Sequence, residues 1–65
     1  MKKNEVIRET ISSLMEQRRL LVESLSEVNF NDNNSDLIRN SLEMQIQNID
    51  NNVSSYMLQL EYQNF

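Results

Sequence analysis

The chain has 65 residues, a net charge of −4, and no Gly, Pro, Cys or His. This composition excludes a disulfide or a Cys/His zinc site, and removes the thiol and imidazole groups on which most side-chain catalysis depends. A domain this small buries only about 60% of the surface its unfolded chain exposes, so self-association or a partner protein is expected to complete it.

The lack of both Gly and Pro points to an all-α fold, because turns between strands draw on these residues for unusual backbone angles. Frequent Leu, Glu, Gln, Arg and Met agree with this, while abundant Asn works against helix propensity. The opening "MKKNEVIRET" has no apolar run after its lysines, so no signal peptide is expected and the cytoplasm is the expected compartment. No stretch approaches the roughly 18 apolar residues of a membrane span.

The first predicted element is a helix over about 4–28. Ile7, Ile11, Leu14, Arg18, Leu21, Leu25 and Val28 recur in alternating steps of four and three, the seam of a coiled coil. Met15 and Val22 widen this stripe on one side, enough to face more than one neighbouring helix. Periodicity then stops at "NFNDNNS", a predicted turn over about 29–35 made of residues whose side chains bond to nearby backbone. Asn34 or Ser35 is expected to cap the next helix, Asp36 to favour its N-terminal dipole, and Phe30 to act as a hydrophobic staple.

The second predicted helix covers about 36–62. Its seam is Leu42, Ile46, Ile49, Val53, Tyr56 and Leu60, with Ile38 extending it toward the turn. Each helix would extend roughly 40 Å. Folding back sets Leu25 near Ile38, Leu21 near Leu42, Arg18 opposite Ile46, Leu14 near Ile49 and Ile11 near Val53. The expected fold is a single-domain, all-α, antiparallel two-helix hairpin spanning 1–65, completed to a four-helix bundle by dimerisation or by a partner.

"DNNSDLIRNSLE" places Asp32, Asn34, Asp36 and Glu43 at positions one, three, five and twelve of a calcium loop. Leu37 stands where such a loop needs Gly, and Arg39 where it needs an aliphatic residue, so a capped turn is expected and no metal or other cofactor. Nucleic acid is not an expected partner either. Residues 1–28 carry balanced charge and residues 29–65 carry all of the net −4, a poor surface for phosphates.

Arg18, in the centre of an apolar stripe, must be paired or must extend to solvent. Glu43 and Asp50, one turn to either side of Ile46, are its expected structural partners; the functional alternative is a recognition group in a cleft. A second, outer line consists of Leu37, Met44 and Leu58, interrupted by Asn51 and nearly opposite the main seam, with Leu20 off the main face of the first helix. Scattered surface apolar residues account for such a line, and a second binding face is the sharper reading. Tyr56, Tyr62 and Phe65 could pack near Val6 and Ile7 or anchor a partner.

The stretch "MEQRRLLVESLSEVNFNDNNSDLIRNSLEMQ" resembles the Spo0E-like aspartyl-phosphate phosphatases of sporulating bacilli, small helical hairpins that act on response regulators. Of their signature Ser-Gln-Glu-Leu-Asp, Ser41, Glu43 and the apolar Met44 correspond. Gln45 stands at the position of the acid, and the turn lacks the usual Gly. The resemblance implies a hairpin and a response-regulator partner, but without the acid the activity is not carried over. The format is also similar to the small hairpin chaperones of type III secretion. The sequence-based expectation is thus a non-enzymatic interaction module, a regulator, adaptor or cochaperone acting through its helix faces on a protein partner, a homodimer, or both.

Overall fold

The structure, a computed structural model, describes residues 3–28 and 34–63. Two helices, α1 (Lys3–Ser26) and α2 (Ser35–Gln63), pack as an antiparallel hairpin. This is the all-α fold that a chain rich in helix formers and free of Gly and Pro requires.

α1 ends two residues before the predicted boundary. The Glu27 N–H donates to the Ser24 carbonyl at 3.1 Å and the Val28 N–H to the Leu25 carbonyl at 3.2 Å, and these i to i−3 bonds tighten the last turn. The Ser26 hydroxyl also donates to the Glu23 carbonyl at 2.6 Å. No described residue has a positive φ, so this end forms without a left-handed cap, the device for which Gly is usually recruited. At the start of α2 the Asn34 carbonyl accepts from the Ile38 N–H at 3.1 Å, which makes Asn34 the N-cap by its backbone and Ser35 the first helical residue. Phe30, Asp32 and Phe65 lie outside the described residues, so the staple, the first calcium-loop position and the terminal aromatic do as well.

The less exposed side chains follow one register along each helix. On α1 they are Asn4, Ile7, Ile11, Leu14, Arg18, Leu21 and Leu25, continued by Val28 and joined by Thr10. On α2 they are Ser35, Arg39, Leu42, Ile46, Ile49, Val53, Tyr56 and Leu60. The seam therefore enters α2 through Arg39, not Ile38, which stays 48% exposed. The reason is the alternation itself: Leu42 follows Arg39 by three and Ser35 by seven, whereas a step of four back to Ile38 turns the side chain onto the flank. Met15 and Val22 are likewise exposed beside the seam.

Packing two helices shields only a narrow line. Among the described residues Ile7, Ile49 and Val53 are the buried apolar ones, at 5%, 8% and 7% exposure, and no large side chain is fully enclosed. The hairpin measures 51 × 15 × 12 Å with a radius of gyration of 15.3 Å, against about 11 Å for a compact domain of this length. Its accessible surface of 5175 Å² exceeds the roughly 4,300 Å² typical of a folded monomer of its mass.

Candidate functional site

The helix faces are the candidate site, and Arg18 marks the point where seam and surface meet. Its Nε donates to Asp50 Oδ1 at 2.7 Å, a contact that crosses from α1 to α2 with the side chains 38% and 49% exposed. Of the two partners expected, Asp50 is the one engaged. The guanidinium leaves the apolar line by its long stem and reaches the flank, so the seam is not forced to enclose a charge.

The other ion pairs among the described residues are local to one helix. Arg19 bonds Glu16 at 2.7 Å and Glu23 at 3.0 Å, one turn to either side. Hydrogen bonding from Arg19, followed by its charge, lowers the Glu16 carboxyl below its ordinary value, and the same contacts raise Arg19. Arg39 turns its Nη2 toward Asp36 Oδ1 at 3.3 Å, while its Nε is withdrawn from solvent without a hydrogen-bond partner.

Counting the seam as heptad positions a and d separates the charges into two flanks. Glu5, Arg8, Glu9, Glu16, Arg19 and Glu23 on α1, and Asp36, Glu43, Asp50 and Glu61 on α2, all fall on positions b, e and f. Positions c and g hold Val6, Thr10, Ser13, Gln17, Leu20 and Ser24 on α1, and Ile38, Ser41, Gln45, Asn48, Asn52, Ser55, Gln59 and Tyr62 on α2. Among the described residues the charged ones on that side are Lys3, at the start of α1, and Glu27, just past its end. Hydrophobic periodicity alone does not reveal this flank; the charged positions must be set against the seam register.

A shallow groove of about 270 Å³ lies on the uncharged side, lined by Gln17, Leu20, Leu21, Ser24 and Gln45. It shows that the c/g sides of the two helices adjoin. Gln45 Nε2 donates to Ser41 Oγ at 3.3 Å, one turn away on the same helix. The amide of Gln45 is neither a base nor a nucleophile.

The outer line on α2 is open to solvent, with Leu37 at 73% and Met44 at 64% exposure. Leu58 and, on α1, Leu20 are exposed as well. The remaining seam residues, Ile11, Leu14, Leu21, Leu25, Leu42, Ile46, Tyr56 and Leu60, are half-buried between the helices. Tyr62 is exposed near the end of α2.

Residues 35–43 are helical, so Asp36 and Glu43 stand two turns apart with a rise of about 10 Å between them, too far to share one cation. Among the described residues no group of three or more His, Cys, Asp or Glu converges in a way that could hold a metal ion. No described helix is long and apolar enough to cross a membrane. No protein-family model, curated protein or solved structure matches the chain.

Proposed function

We propose that the protein is a small non-enzymatic interaction module, a regulator, adaptor or cochaperone that works by presenting helix faces to another polypeptide. One observation carries this reading: a 51 Å hairpin in which no large side chain among the described residues is fully enclosed. Its accessible surface exceeds that of a compact monomer by about 900 Å², close to the roughly 800 Å² that each partner contributes to a standard protein interface. Half-buried Leu21, Leu25, Leu42 and Ile46 become a true core only when a further helix or hairpin covers them. The Cys-free sequence supports a reducing compartment such as the cytoplasm.

Light scattering coupled to gel filtration, with helicity recorded on the same samples, tests the proposal. The expected result is helicity that rises with self-association or with a bound partner. A monomer that melts cooperatively at one temperature over all concentrations would overturn it. Incubation with a phosphorylated response regulator provides a separate test of the non-enzymatic part: a stoichiometric complex without turnover is expected, and accelerated dephosphorylation would refute it.

A further inference from the structure

We propose that the uncharged flank is a self-association surface on which a second copy of the chain docks with its own uncharged flank, around a twofold axis at the groove between Leu20 and Gln45. This rests on the reading of the chain as an interaction module and adds the partner and the face. A chain of net charge −4 repels its own copy, and the face on which it approaches decides how strongly. Contact through the opposite side would bring the acid-rich b, e and f positions of two copies together, where the eight carboxylates of each copy outnumber Arg8 and Arg19. On the uncharged flank no such opposition arises over the length between Lys3 and Glu27. Depletion of charge is also the compositional mark of an interface core.

The chemistry of this flank is complementary to itself. Gln, Ser, Asn and Thr side chains both donate and accept hydrogen bonds, so one patch can satisfy an identical patch turned by 180°, as a twofold interface requires. Leu20 at the rim of the groove and Ile38, seven residues before Gln45 on the same face of α2, are exposed aliphatic side chains that supply the apolar contact. The outer line of Leu37, Met44 and Leu58 is narrower, is interrupted by Asn51, and lies beside the acids.

The full-length chain, Leu20→Glu and Gln45→Glu are compared by light scattering across a wide concentration range, with circular dichroism on each sample. The unaltered chain is expected to reach twice its 7.7 kDa mass, and each variant to dissociate at least about tenfold more readily while remaining helical. Mixing the Leu20→Glu chain with a Leu20→Lys chain is expected to restore the dimer through opposite charges. Since the chain has no Cys, single substitutions Ser24→Cys on this flank and Gln47→Cys on the other provide a measurement that does not depend on destabilising the contact. Faster disulfide dimer formation at position 24 supports the proposal; equal or slower formation overturns it. A dimer unaffected by both Glu substitutions overturns this surface and leaves the interaction-module reading intact. A monomer at every concentration overturns self-association, and its helicity then separates the two claims: weak helicity leaves the module reading standing, and cooperative melting ends both.

Discussion

Arg18 and Asp50 are joined across the hairpin by a 2.7 Å hydrogen bond between Nε and Oδ1, linking the seam of α1 to the flank of α2. Because both side chains keep contact with water, the pair contributes little to stability, about 0.2–1 kcal/mol. Its position in the line of apolar residues gives it a different consequence. Asp50→Asn is expected to lower stability by no more than about 1 kcal/mol, whereas Arg18→Leu raises the melting temperature and broadens the distribution of oligomers, since a polar residue in a seam restricts register at a cost in stability. Thermal melts and light scattering at matched concentration check both.

At the start of α2, Arg39 occupies a seam position with an unpartnered Nε, and Ile38 beside it faces outward. Replacing the arginine by an aliphatic side chain removes a poorly satisfied polar group from the packing line. Arg39→Leu is therefore expected to stabilise the hairpin by about 1–2 kcal/mol, and Ile38→Ala to cost less than about 1 kcal/mol. Denaturant midpoints at fixed protein concentration measure the two. The opposite order would show that the seam enters α2 through Ile38.

Ile49 and Val53 belong to the small buried core, and Leu37 to the exposed back of the same helix. Ile49→Ala should cost about 2–4 kcal/mol, enough to unfold much of so small a domain, and Leu37→Ala should stay within about 0.5 kcal/mol. Circular dichroism in the absence of denaturant already separates these outcomes. A large loss of helicity in Leu37→Ala would show that the outer line is covered in solution.

The Glu16 carboxyl, lowered by hydrogen bonding and charge from Arg19, links helix stability to pH. A carboxyl whose folded value lies below its unfolded one contributes stability that is present above the ordinary glutamate value of about 4.3. That stability is lost as pH falls through the lowered folded value. The group is fully exposed, so the effect is small and disappears at high salt. NMR titration of the Glu16 carboxyl should show a lowered midpoint in the native chain that returns to the ordinary value in Arg19→Gln.

The elements themselves were legible in the sequence for a simple physical reason. A helix repeats every 3.6 residues, so Ile7 to Leu25 and Leu42 to Leu60 state which side of each helix is apolar without reference to the rest of the molecule. The absence of Gly and Pro closed the alternative of a sheet, and the Asn-rich interruption required the chain to turn. Charge was harder to read. The acids of α2 are evident along the chain, but the separation of charged and uncharged flanks becomes visible only when b, e and f are distinguished from c and g.

Helicity, the hairpin and the apolar side of each helix were determined by the sequence alone, because each depends on local propensity and periodicity. The tertiary structure decided two further things: that Arg18 pairs with Asp50 and not Glu43, and that Gln17, Leu20 and Gln45 meet in one groove. Both depend on how one helix is placed against the other. Each helix leaves its own periodicity free to turn by a fraction of a heptad, and only the packed partner removes that freedom.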